Sequence, residues 1–133
     1  MSTFRPGCRV SSFGYHHGPA PSADLVMDVR HSLRNPANNP VMVHMTGLDA
    51  EVAAHVLATP GATGVVVRTA AWVRGLLADT PAERWRRVDV AIGCAGGRHR
   101  SVALAEALAD ALRTTGTPTE VVHRDVDRPV VAT

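Results

Sequence analysis

The chain of 133 residues contains no lysine; all fourteen of its basic residues other than histidine are arginine. A Walker-A phosphate loop, a pyridoxal Schiff base and a catalytic ammonium each require a lysine nitrogen, so all three are excluded. Every permanent cationic contact therefore falls to guanidinium, the group suited to two-pronged grips on phosphate or carboxylate. Cysteine is scarce, with only Cys8 and Cys94, far apart in sequence. Long apolar runs are missing too: none approaches the roughly 18 residues of a membrane span. The polar start from Met1 to Val10 carries Arg5 and Arg9 and leads into no apolar h-region, so no signal peptide is read. These absences point to a cytoplasmic protein with reduced thiols and no membrane partner. There is no internal repeat and no low-complexity segment.

What is present suits one ordinary domain. The composition is 45% hydrophobic and 20% charged, with a net charge of +2. That balance permits a nucleic-acid partner without demanding one. The alternation of strand and helix signals predicts an α/β fold, a small and mostly parallel sheet flanked by helices. Strands are expected over Cys8–Gly14, Asp24–Arg30, Val88–Cys94 and Glu120–His123. Helices are expected over Ala50–Ala58, with Asp49 as N-cap, over Ala62–Ala78, and over Ser101–Arg113 with leucines at 104, 108 and 112. The spacing Val66, Ala70, Val73, Leu77 decides for a helix where Val65-Val66-Val67 alone reads as strand. Trp72 is expected in the core and His55 on the surface. The domain spans 1–133, with a core of about 9–125 and 126–133 as a flexible tail.

In a parallel sheet, ligands sit beyond the carboxyl ends of the strands. Asp28 and Arg30, the turn after Cys94, and His123 with Arg124 all emerge at that edge. The stretch Ile92-Gly-Cys-Ala-Gly-Gly-Arg-His-Arg-Ser101 is a strand, a glycine turn and a helix start. Inward backbone N–H groups, a positive helix terminus and the charges of Arg98 and Arg100 together form an anion site, with Ser101 as a candidate cap. Cys94 and Arg100 also stand as C-x5-R, the spacing of cysteine phosphatases, in which a thiolate attacks phosphorus. That chemistry needs a general acid, for which Asp125 and Asp28 are candidates. The alternative for Cys94 is a small buried residue at a strand end. The cluster Glu83-Arg84-Trp85-Arg86-Arg87 suits stacking and phosphate contact with RNA, yet such clusters are most often solvated helix ends. His16, His17 and His31 show no metal-ligand spacing with Cys94, so no metal and no cofactor are expected.

Ser12-Phe-Gly14, Ala23 to Arg30, Thr46-Gly-Leu-Asp49, Ile92-Gly-Cys94 with Gly96-Gly97, His99-Arg-Ser101 and His123-Arg-Asp125 follow one another in the order of one family. Over about Arg9 to Asp125 the chain resembles the C-terminal domain of the RNase adapter protein RapZ. The resemblance implies a non-enzymatic α/β regulatory module that senses glucosamine-6-phosphate, binds a small regulatory RNA and assembles as an oligomer. It also implies a phosphate-binding pocket built from Asp28, Arg30, Gly96, Gly97, His99, Arg100 and Ser101. In that pocket Arg100 and the turn amides grip phosphate, Asp28 accepts hydroxyls or an amine, and His99 donates to phosphate and becomes protonated. His123 and Arg124 match a second basic pair, with Arg84, Arg86 and Arg87 as further RNA candidates. The family's N-terminal P-loop domain has no counterpart here, and the Met1 start leads to the expectation of a stand-alone form. Departures are Ala95 for a threonine, His44 for an arginine, His16 for a lysine, and Asn35-Pro-Ala-Asn-Asn-Pro40 for an aromatic-rich loop. The lysine-rich tail of RNA-binding members is also missing.

Overall fold

The computed structural model describes residues 7–79 and 87–130. Four strands, β1 (Gly7–Gly14), β2 (Leu25–Asp28), β3 (Arg87–Cys94) and β4 (Thr119–His123), form one sheet in the order β2-β3-β1-β4, every neighbouring pair parallel. Three helices complete the domain: α1 (Ala50–Leu57), α2 (Ala62–Ala78) and α3 (Arg100–Thr114). The predicted elements are all present, with ends displaced by at most two residues. The ambiguous Val65-Val66-Val67 is helical: Val66, Ala70 and Val73 are buried along one stripe of α2, as a 3.6-residue period requires.

Alternation along the strands divides the sheet into two unlike faces. Cys8 and Val10 of β1 and Val88, Val90, Ile92 and Cys94 of β3 pack against α2 and against Leu104, Leu108 and Leu112 of α3. The opposite face is polar at the amino ends of the strands, where Arg9 meets Glu120 at 2.5 Å and Arg87 meets Asp89 at 2.7 Å. Toward the carboxyl ends that face closes over Phe13, which is fully buried with its ring 4.9 Å from Tyr15. A second small cluster seats α1 through Val52 and Val56 on Ala103 of α3.

Three local expectations are corrected. Trp72 is 41% exposed, because it lies about 100° around the helix from Val73, off the buried stripe. Asp49 does occupy the N-cap position of α1, but its carboxylate turns back to accept the Thr46 amide at 2.8 Å rather than a helix amide. Ser101 lies inside α3, whose N-cap is His99, so its hydroxyl is free for a different use.

The parallel pairing sets Gly14 beside Cys94, Asp28 beside Gly93 and Ser12 beside His123. The ends of all four strands thus meet along one edge, where the turn into α3 begins.

Candidate functional site

The turn from Cys94 to His99 is shaped by glycine. Gly97 has a φ of 73°, in the left-handed region open to glycine at little cost. A Cβ there would also stand 2.5 Å from the Gly14 nitrogen and 2.9 Å from the Asp125 Cβ. A Cβ on Gly14 would in turn meet the Gly96 carbonyl carbon at 2.3 Å. The end of β1 and the glycine turn therefore touch backbone to backbone. Asp125 locks this contact from beneath. It is fully buried, accepts the Gly14 amide at 2.8 Å and Arg124 Nε at 2.9 Å, and pairs with Arg128 at 3.0 Å. Burial pushes its carboxyl up, but the hydrogen bonds from Arg124 and Gly14 and the nearby positive charge outweigh that, leaving it below the usual carboxylate range.

The turn is held from within by sulfur. The Gly97 amide donates to Cys94 Sγ at 3.3 Å, and the thiol donates to Ser101 Oγ at 3.1 Å. Ser101 is thus a strut between strand and helix. Cys8, the other thiol, lies in the core, and burial beside Asp89 and Asp24 pushes it up to about 12.

Above the turn opens a cavity of about 290 Å³. Cys94, Ala95 and Gly96 contribute from the turn, and Arg98, His99 and Arg100 from the start of α3. His16 approaches from the loop after β1, its amide bonded to the Ala95 carbonyl at 2.9 Å. Asn35, Ala37 and Asn38 form a further wall, and Pro129 and Val130 complete the lining. The first amides of α3 have no intrahelical acceptor and carry the positive end of the helix dipole.

The two arginines differ in kind. Arg98 is spent on structure: it donates to the carbonyls of Met45 at 2.9 Å, of His44, and of Arg128 at 3.5 Å. It lends charge to the cavity and ties down the segment ahead of α1, where Gly47 lies so close that a Cβ would meet the His99 carbonyl oxygen at 2.4 Å. Arg100 is only 6% exposed. Its Nη1 donates to the Arg30 carbonyl, while its Nε is buried without a hydrogen-bond partner. Nε and Nη2 form the side of a guanidinium that matches two oxygens of one phosphate.

His99 is also buried, and its Nε2 donates to the Val43 carbonyl at 3.2 Å, since a carbonyl can only accept. Burial first, and then the charge of Arg98, push the imidazole below its ordinary value despite that hydrogen bond. The neutral ring is the favoured form, against the expectation of a protonated phosphate donor.

Asp28 and Arg30 grip each other. Arg30 donates through its amide and Nε to Asp28 Oδ1, each at 3.0 Å, and through Nη2 to Oδ2 at 2.7 Å. These bonds hold the Asp28 carboxyl down to about 2. The Arg30 guanidinium lies 4.0 Å over the Tyr15 ring. Neither side chain lines the cavity, and Arg30 contributes only the carbonyl that anchors Arg100. His123 and Arg124 diverge. His123 bridges Ser12, at 2.6 Å, and Glu106, at 2.9 Å. Arg124 reaches the carbonyls of Pro19, Gly14 and Gly18. Arg87 stands at the opposite end of the sheet, and Arg84 and Arg86 lie outside the described residues.

Sequence reasoning missed this part of the lining. Asn35 and Asn38 carry no periodic or motif signal, and Pro129 and Val130 fall in the expected flexible tail.

A family model described as the RapZ C-terminal domain matches residues 7–127. A nucleotide-binding protein of Streptomyces coelicolor is 45% identical over 119 residues, 90% of this chain and 40% of its own length. One of Thermus thermophilus is 47% identical over 121 residues, 90% of this chain and 43% of its own length. One of Rhodospirillum rubrum is 45% identical over 117 residues, 88% and 36% respectively. The chain thus spans about 40% of the length of these curated relatives.

Proposed function

The chain belongs to the RapZ C-terminal domain family, and from that premise we propose that it is a non-enzymatic regulatory module that holds the phosphate of a small phosphorylated metabolite. The observation that carries this reading is the buried, unpartnered Nε of Arg100 in a cavity at the amino end of α3. A buried cationic donor without an acceptor is costly, and a phosphate oxygen removes that cost. The turn amides and the Arg98 charge act in the same direction. Glucosamine-6-phosphate, which the family resemblance implies, is the first ester to test.

Binding is favoured over turnover by the cavity itself. The described lining contains no carboxylate to protonate a leaving group. Cys94 is 2% exposed and holds its proton in a bond to Ser101. An RNA partner and an oligomer belong to the same proposal and rest on the resemblance, and a cytoplasmic setting with reduced thiols belongs to it as well. Among the described residues, no single helix is long and apolar enough to cross a membrane.

Isothermal titration of the chain with inorganic phosphate and glucosamine-6-phosphate tests the reading. Saturable binding that Arg100→Lys weakens at least about tenfold supports it, because lysine keeps the charge and loses the bidentate edge. Binding of neither compound sinks it. Release of inorganic phosphate from an aryl phosphate, lost in Cys94→Ser, would replace it with the phosphatase reading.

A further inference from the structure

We infer that Pro129 and Val130 form a movable wall of the cavity, a strap whose closure and an anion at Arg100 favour each other. The inference rests on the phosphate reading above and goes beyond it, since it gives the bound anion a mechanical consequence.

The other contributors to the lining are built into the fold. Cys94 ends β3, Ala95 and Gly96 belong to the glycine turn pressed against Gly14, and Arg98, His99 and Arg100 lead into α3. Asn35 holds its own loop, its side chain accepting the Ala37 amide at 3.1 Å and its carbonyl the Asn38 amide at 3.2 Å. Pro129 and Val130 differ. The chain leaves the core at Val126, and every described residue after it is exposed. The tethers of this segment end on Arg128. Its amide donates to the Asp125 carbonyl at 3.1 Å, its Nε pairs with Asp125 Oδ1 at 3.0 Å, and its carbonyl accepts from Arg98 Nη1 at 3.5 Å. The Arg128 side chain is 57% exposed, so solvent screens that ion pair. Among the described residues, no hydrogen bond reaches Pro129 or Val130. Few buried contacts and exposed tethers put a segment at the low end of local stability.

Arg100 supplies the coupling. With the strap in place its guanidinium is nearly buried and its Nε lacks an acceptor. A donor in that state carries a free-energy cost that water would relieve. The empty cavity therefore favours withdrawal of the strap, which opens the same space to solvent. An oxyanion on Nε satisfies the donor and removes the reason to withdraw. Closure in turn excludes water from between anion and guanidinium, and their attraction strengthens as the local dielectric falls. By linkage, each event favours the other by the same factor. There is room for both, because the cavity of about 290 Å³ exists with Pro129 and Val130 already in its lining.

The test uses the whole chain and inorganic phosphate. Amide hydrogen exchange at Val130, measured against Asp127 as an internal reference, is expected to slow about fivefold or more at saturating phosphate. The double variant Pro129→Gly, Val130→Gly leaves Arg128 and its tethers in place. It is expected to bind phosphate about fivefold more weakly, chiefly through faster dissociation. Unchanged or faster Val130 exchange in a chain that binds phosphate overturns the inference. So does a double variant that binds within about twofold of the unmodified chain. If the unmodified chain binds no phosphate, the phosphate reading itself fails and the strap falls with it, a result distinct from the other two.

Discussion

Gly14 and Gly97 meet backbone to backbone: a Cβ on Gly97 would stand 2.5 Å from the Gly14 nitrogen, and one on Gly14 would stand 2.5 Å from the Gly97 nitrogen. Because the obstructing atoms are main chain on both sides, neither can swing away as a side chain would. Gly14→Ala is therefore expected to cost about 3 kcal/mol or more, in the range reserved for overpacking and backbone strain. Gly97→Ala adds a left-handed φ to the same clash. Urea unfolding of both variants checks this, and a change within about 0.5 kcal/mol would contradict the contact.

Arg100→Met is expected to abolish phosphate binding while the chain still folds. The substitution removes a buried cation with an unpartnered donor and retains much of the volume. Its melting temperature in a phosphate-free buffer should be no lower than that of the unmodified chain. A lower value would mean that the bond from Nη1 to the Arg30 carbonyl outweighs the cost of burying the charge.

His99 should remain neutral well below the pH at which a free imidazole charges. Its folded pKa is lowered, so its contribution to stability is fully present above the unfolded value of about 6.5 and is lost as pH falls through the folded value. Nitrogen-detected NMR of the imidazole, followed downward from pH 7, reads the protonation directly. An ordinary titration near 6.5 would contradict its burial.

Acid should loosen the site through carboxylates. Asp28, at about 2, and Asp125, also lowered, both stabilise the fold above the unfolded carboxylate range, and that stability drains as pH falls through their folded values. The Asp28 share is small because its pair with Arg30 is substantially exposed; Asp28→Asn should cost about 1 kcal/mol or less. Asp125→Asn should cost distinctly more, since it leaves a buried junction of Gly14, Arg124 and Arg128 without its charge. Unfolding midpoints of the two variants at pH 7 decide the order.

Cys94→Ser should keep phosphate binding within about twofold, because a hydroxyl can take the thiol's place toward Ser101 and the Gly97 amide. Titration calorimetry checks it. A loss of more than about tenfold would give the sulfur a direct role in the grip.

The fold was legible because its signals are local. The leucine spacing of α3 and the glycine turn after Cys94 each follow from neighbours within a few residues. Asp49 at the start of α1 shows the limit of such signals: the position was right, but the carboxylate chose a nearer amide. The glycine turn leading into α3, with Arg100 at the helix start, was readable for the same reason. Asp28 and Arg30 were not, because their spacing of two residues across a strand end permits a mutual grip that sequence cannot distinguish from a shared ligand. His123 and Arg124 part because His123 is the last residue of β4 and Arg124 begins the bend that follows it. The cavity wall at Asn35 and Asn38 depends on how the long loop after β2 folds back, and no periodicity encodes that.

A nearly buried guanidinium with one unfilled donor makes the protein's robustness a property of its solvent. Any small oxyanion in a storage buffer that reaches Arg100 is a stabiliser there, contributing about 2.7 kcal/mol at a hundred times its dissociation constant. Melting curves recorded in phosphate and in an amine buffer would then describe two different molecules, one with its last charge answered and one without.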